Sequence, residues 1–410
     1  MLTPQPGRER DRSLALLGGL CLFLSAIEYL IPRPLPFMRI GLANLPLLLA
    51  LDIFGPKDFF LLALLKVLGQ GIIGGALFSY VFLFSLAGTF ASASVMYLLR
   101  RLLGKKHLGF TGLGCAGAMA SNGVQLVLAR YFIFGPALRF IVPPFLASGF
   151  VTGAALGLFC EYFSRHSLWY AKHAGLPANA QADAALEFPP GKSDAEAFPG
   201  TSAAEPRRLS RSLRWNRLFS AGELFTAGLA MALVYLFSRP LPGRVIHFVF
   251  FCLLAWFSGK KTNPIATALI MAGIVFFNLL APYGKVLAAL GPLRITQGSL
   301  LAGLEKAVTL EGLVMLSRAC IKPDLRLPGA LGSLLGESLR MLELMRQRKG
   351  MIGRKNIIGG IDGLLLEMEK AGADGAASAP GREQKRNVKG VLILCAMTAF
   401  TAAVWFVMQG

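Results

Sequence analysis

The chain has 410 residues, of which 54% are hydrophobic and 16% charged, and its net charge is +20. Charged residues make up roughly 25% of an average soluble domain. The composition therefore excludes a soluble enzyme, a disordered chain and a fibrous repeat, and the continuous apolar runs leave an all-α integral membrane protein with many spans.

The opening MLTPQPGRERDR is charged, and the apolar run after it ends at Glu28 and IPRP. No small-x-small cleavage site follows, so this run is expected to stay as a transmembrane helix. Six apolar segments are expected early in the chain: Leu14–Ile31, Leu42–Phe54, Phe59–Ile73, Phe78–Leu99, Phe110–Phe134 and Leu138–Phe163. The second and third are short for a bilayer that needs roughly 20 residues per helix. Tilted, broken or re-entrant elements would fit them. Basic residues set the orientation. Arg8, Arg10 and Arg12 precede the first segment, Arg100, Arg101, Lys105 and Lys106 follow the fourth, and Arg165 and Lys172 follow the sixth. Six crossings put all of these on one side, the cytoplasm, with the N-terminus. Elsewhere the basic excess also lies beside apolar runs, so membrane lipids are the expected partner and nucleic acid is not.

Residues 171–214 are rich in Ala, Pro, Gly and small polar residues, which reads as a flexible cytoplasmic linker. A second apolar block follows at Leu218–Phe237, Val245–Phe257 and Pro264–Leu280. The mixed stretch Ile295–Arg348 is expected to form amphipathic helices lying on a membrane or on a partner. A polar, basic region over 351–387 precedes a last apolar run at Val391–Met408, read as a C-terminal transmembrane helix over 388–410. The expected organisation is thus a membrane bundle over 1–170, the linker, a second helical membrane domain over 215–350, the basic region and the anchor. That makes roughly ten crossings in the cell membrane.

Absent motifs also bear on function. There is no GxxxxGK(S/T) phosphate loop, no DDxxD, no GxSxG and no HExxH. The six cysteines form no CxxC and the four histidines do not cluster, so no metal, cofactor or catalytic residue is expected. The glycine-rich pieces GQGIIGG and GLGCAGA lie inside apolar segments, where small residues let helices pack closely.

The polar residues left inside apolar segments are the candidates for binding. Glu28, Arg33, Arg39 and Asn44 flank three prolines within EYLIPRPLPFMRIGLAN. The arginines fall on the translocated side, against the positive-inside preference, and would hold an anionic group there, with Asn44 orienting it. An ion pair with Glu28 that only pins the loop is the competing reading. Lys66 and Gln70 stand one turn apart on the third segment, and Asn122 and Gln125 on the fifth. Interhelical hydrogen bonding competes with function for these, and Lys66 could also snorkel to an interface. On the first helix Ala15 and Gly19 have small-xxx-small spacing, suited either to internal packing or to docking of a partner.

The stretches EYLIPRPLPFMRIGLANLPLLLALD, LLKVLGQGIIGGALFSYVFLFSLAGTFAS and GAMASNGVQLVLARYFIFG resemble the Gx transporter family, also catalogued as heptaprenyl diphosphate synthase component I. The resemblance runs over about residues 10–165 and implies a six-helix bundle of the kind found in substrate-binding (S) components of energy-coupling-factor transporters. It implies an outward ligand pocket, docking through Ala15 and Gly19 onto a membrane T component, and drive from cytosolic ATPase partners, which alone would use ATP. The second half loosely resembles a T component, with Arg318 and Arg340 as the arginines that would enter the ATPases.

Three functions follow as expectations. The first is a transporter subunit that binds a small molecule and relies on partner ATPases. The second is a non-catalytic membrane subunit serving a separate heptaprenyl diphosphate synthase in isoprenoid-quinone metabolism, in which Arg33, Arg39 and Lys66 would hold a diphosphate. The third is a membrane assembly platform.

Overall fold

The computed structural model describes residues 6–28, 40–175, 206–260, 263–290, 293–322, 325, 327–353, 356–374 and 387–409. The first half comprises α1 (Pro6–Glu28), α2 (Leu45–Ala50), α3 (Pro56–Gly74), α4 (Tyr80–His107), α5 (Phe110–Ala129), α6 (Val142–His166) and the short α7 (Leu168–His173). The second comprises α8 (Pro206–Leu218), α9 (Ala221–Phe237), α10 (Leu241–Phe257), α11 (Pro264–Leu279), a β-hairpin (Val286–Leu290 with Leu293–Thr296), α12 (Gln297–Cys320), α13 (Gly329–Gln347), α14 (Ile357–Asp374) and α15 (Val388–Gln409).

The helix ends follow local chemistry. Pro56 sits in the first turn of α3, where its missing N–H costs nothing. Ser220 and Glu223 make a reciprocal capping box on α9. Asn263 accepts from the Ile265 and Ala266 N–H groups at the start of α11. After Ala129 the helix of α5 widens into a π-turn over Arg130–Phe134, then tightens into a 3-10 turn that leads to α6.

Among the described residues, four helical stretches are long and apolar enough to cross a membrane: Tyr80–His107, Phe110–Phe140, Val142–His166 and Val388–Met408. Counting the pair α8–α9 as one span, bent by 88°, makes a fifth, and α10 and α11 are shorter apolar helices. This is an all-α, multi-pass membrane-type architecture, in which the described residues hold four or five such spans against the roughly ten expected. The second apolar segment forms a regular α-helix only over the six buried residues of α2, after a 3-10 turn at Leu42–Asn44.

α5 and α6 pack tightly, in part through an expected glycine: a Cβ on Gly114 would meet the Gly153 carbonyl oxygen of α6. The basic ends also gather as expected. Arg10 pairs with Asp58, Arg100 and Lys105 with Asp52, and Lys172 with Glu369, so these groups share one end of the bundle.

Two expectations for the second half are corrected. The helix α12 does not lie on a surface. It is wrapped by α9, α10 and α11, and nearly every residue from Ala307 to Cys320 is buried, Glu311 included at 3% exposure. Nearer its start, two half-exposed charges are met by other helices: Arg244 pairs with Glu305 at 3.0 Å, and Lys306 donates to Asn278 Oδ1 at 3.1 Å. The region over 351–387 is not merely polar, since α14 buries Leu364, Leu365 and Met368 against α1, α7 and α13. The linker reading falls mainly on residues outside those described, and its end, from Pro206, is already helical in α8.

Candidate functional site

Six of the polar residues singled out in the sequence, Glu28, Asn44, Lys66, Gln70, Asn122 and Gln125, line one cavity in the first half. Arg33 and Arg39 lie outside the described residues. The cavity has about 80 Å3 of open space, enough for several waters or a compact polar group. The C-terminal end of α1, the turn before α2, and α3, α4, α5 and α6 all contribute to its wall.

Glu28 ends α1 and is 2% exposed. Its Oε1 accepts the Gly41 N–H at 3.0 Å. Gly41 has φ +88°, a left-handed conformation that side chains rarely adopt, and a Cβ there would sit 3.0 Å from Asn44 Nδ2. That turn returns the chain to Glu28 and starts the 3-10 turn carrying Asn44. Lys66 on α3, 4% exposed, donates to Asn44 Oδ1 and to Thr89 Oγ1, the latter at 3.3 Å. One turn on, Gln70 Oε1 accepts from Ser85 Oγ at 3.5 Å. On α5, Asn122 Nδ2 donates to the Phe145 carbonyl at 3.0 Å and Gln125 Nε2 to Ser121 Oγ at 2.9 Å.

Glu28 and Lys66 are the two charged groups among the described lining residues; amides and hydroxyls make up the remaining polar wall. One atom is left over: Glu28 Oε2 is buried and has no hydrogen-bond partner. The arrangement can bind and orient a small polar molecule.

The sequence reading missed the hydroxyls of Ser85, Thr89, Ser92 and Thr152 that face this space. Ser85, Thr89 and Ser92 stand at i, i+4 and i+7, one face of α4, and that periodicity is the signal that would have found them.

The residues expected to dock a partner meet the chain itself. α1 packs along α13: a Cβ on Gly19 would lie 2.7 Å from Met341 Cβ and 3.1 Å from the Ser338 carbonyl oxygen, and Ala15, one turn back, is fully buried. Arg318 packs over the turn after α3, its Cα 3.1 Å from where a Cβ on Gly75 would stand. Arg340 is half-buried on α13, its Nε buried without a hydrogen-bond partner.

A second polar cluster holds the basic end together. Asp52 accepts from Arg100 through both carboxylate oxygens, at 2.9 and 2.6 Å, and from the Tyr170 hydroxyl at 2.8 Å. Burial alone would push this carboxyl up. The hydrogen bonds from Arg100 and Tyr170, with the charges of Arg100 and Lys105, outweigh that and hold it below the ordinary carboxylate range. Asp362 of α14 caps α7, taking the Ser167 hydroxyl and the Leu168 and Trp169 N–H groups, the last two at 3.1 and 3.0 Å.

The fold and the cavity thus define a helical, multi-pass membrane-type protein with a buried polar cavity. Residues 17–163, which contain every described residue of the cavity wall, match the family model described as "Heptaprenyl diphosphate synthase component I". Residues 224–323 match a model described as "Domain of unknown function (DUF8519)". No curated protein and no solved structure matches the chain. Of the two names attached to the expected resemblance, the match carries the synthase component and lends nothing to the transporter.

Proposed function

We propose that the chain is a non-catalytic, multi-pass membrane subunit serving heptaprenyl diphosphate synthesis, in which the first half binds a small polar molecule and a separate soluble synthase does the chemistry. The observation that carries this reading is the coincidence of cavity and family match: the stretch that matches the synthase component is the one that encloses the polar space. The basic ends of α1, α4 and α6 face the cytoplasm on this reading, where a soluble synthase would meet them. The test is reconstitution of the full chain in vesicles with a catalytic prenyl synthase. The expected result is a change in product rate or chain length when the chain is added; identical products with and without it would remove the reading.

One observation favours a second reading. The small-residue face of α1 is seated on an amphipathic helix of the chain's own second half. An energy-coupling-factor-type transporter with its binding and membrane-coupling parts in one polypeptide would have that contact internally, leaving Arg340 to engage cytosolic ATPases. Co-purification of ATPase subunits with the full chain, lost on Arg340→Glu, is expected in that case. Their absence from a stable, detergent-extracted protein would discard it.

A further inference from the structure

The polar groups around the cavity are unequally satisfied. Lys66 is engaged by Asn44 and Thr89, and Gln70 by Ser85, while the Asn122 amide is spent on a backbone carbonyl. Glu28 differs. The whole residue is 2% exposed, Oε1 has the Gly41 N–H, and Oε2 is buried with no partner. A buried acceptor left unmet is costly, and a charged one more so. Inside a membrane bundle that cost persists only where a cation, a donor or water meets the group. Glu28 lines the cavity and no described residue meets Oε2, so an occupant of the cavity can supply the missing donor.

The chemistry of that occupant follows. An ionised carboxylate only accepts hydrogen bonds. A phosphate or diphosphate would bring a second acceptor-only anion against it, and the lysine nearby is already engaged. An ammonium, an amidinium or a ring N–H supplies both the donor and a compensating charge or dipole.

We propose, resting on the reading of this cavity as a binding site, that it takes a compact molecule presenting a protonated or N–H-bearing nitrogen to Glu28 Oε2. Gln125 and Thr152, which face the same space, meet the neutral polar remainder of that molecule. Diphosphate is not the ligand of this cavity. If the chain serves prenyl diphosphate chemistry, the diphosphate is handled by the synthase, and the cavity holds a different, nitrogen-bearing compound.

The test uses the full chain, purified in mild detergent as wild type, Glu28→Gln and Glu28→Ala, with small molecules released by denaturation and identified by mass spectrometry. The expected result is a nitrogen-bearing molecule near one per chain in wild type. Its occupancy should fall at least tenfold in Glu28→Ala and by less in Glu28→Gln, whose amide oxygen still accepts. Glu28→Gln also keeps an acceptor for the Gly41 N–H, so it replaces Glu28→Ala should the latter not elute as a folded species. A retained molecule without a donor nitrogen, or occupancy indifferent to both substitutions, overturns the proposal.

Should wild type emerge empty, its thermal unfolding midpoint is followed with ethanolamine, 1,4-diaminobutane and inorganic diphosphate at matched ionic strength. A rise with the amines that is absent in the variants supports the proposal. A rise with diphosphate alone, or with none of the three, overturns it. Failure of the synthase reading appears elsewhere, as unchanged prenyl products on adding the chain, and leaves the chemistry of the retained molecule untouched.

Discussion

Asp52 shows how much a single side chain can hold here. Its side chain is 3% exposed, and it gathers the end of α4 and the start of α7 through Arg100 and Tyr170. Removing one partner of a buried ion pair typically costs about 3 kcal/mol or more, because the other charge is left unpaired. Asp52→Asn is therefore expected to lower the unfolding midpoint clearly. The sign of the pH dependence follows from the direction of the shift. A carboxyl held below its ordinary range contributes stability that is complete above about pH 4 and is lost as pH falls through the lower folded value. Wild type should thus lose stability in acid more steeply than Asp52→Asn. Parallel acid profiles would show that the network is not ionised as described. Asp362→Ala removes the cap on α7 and is expected to cost about 1–2 kcal/mol, read in the same midpoint. At this scale much of the cavity was legible. Glu28, Asn44, Lys66, Gln70, Asn122 and Gln125 stand out because polar groups in apolar segments are costly. The serines and threonine of α4 did not stand out, because hydroxyls are common in membrane helices and carry far less cost than charges or amides.

Among the elements, α1 and α12 carry the main lessons. Gly19 lets α1 approach α13 at backbone distance, so Gly19→Leu must push the two helices apart. Overpacking of this kind costs about 1–3 kcal/mol, and the thermal midpoint of the full chain should fall accordingly. A midpoint unchanged from wild type would mean that α1 does not rest on α13. The small-xxx-small spacing was legible as a docking face, but its occupant was not, since any helix with a complementary surface satisfies the same spacing. α12 was misread for a related reason. Glu305, Lys306, Glu311 and Arg318 among leucines make an amphipathic pattern, which ordinarily marks a surface helix. The helices that cover it, and the partners Arg244 and Asn278 that meet Glu305 and Lys306, come from elsewhere in the chain. The β-hairpin over 286–296 gave no alternation strong enough to separate it from the loop between two apolar helices.

As a whole molecule, the protein does not divide cleanly at the linker. The core that contains Leu14, Leu17 and Leu62 continues through Met341 and Met345 of α13 to Leu364, Leu365 and Met368 of α14. A second cluster joins Phe84 and Phe134 to Ile274 and Leu310. Residues 1–172 expressed alone would expose the α13- and α14-facing side of α1, and contiguous exposed apolar surface drives association. That fragment is expected to elute as aggregate, and co-expression of residues 206–409 to restore a monodisperse complex. A monodisperse fragment with an unchanged midpoint would mean that the shared core contributes little. The membrane class, the order and approximate bounds of the apolar helices, and the polar residues stranded within them are legible along the chain. Those properties are local, set by transfer free energy residue by residue along a window of chain. Which helix covers the small face of α1, how α12 hides its charges and which atom in the cavity goes unmet were decided only by the tertiary structure. Apolar burial is non-directional and many pairings satisfy it equally, whereas hydrogen-bond partners distant in sequence exist only once a single pairing has been chosen.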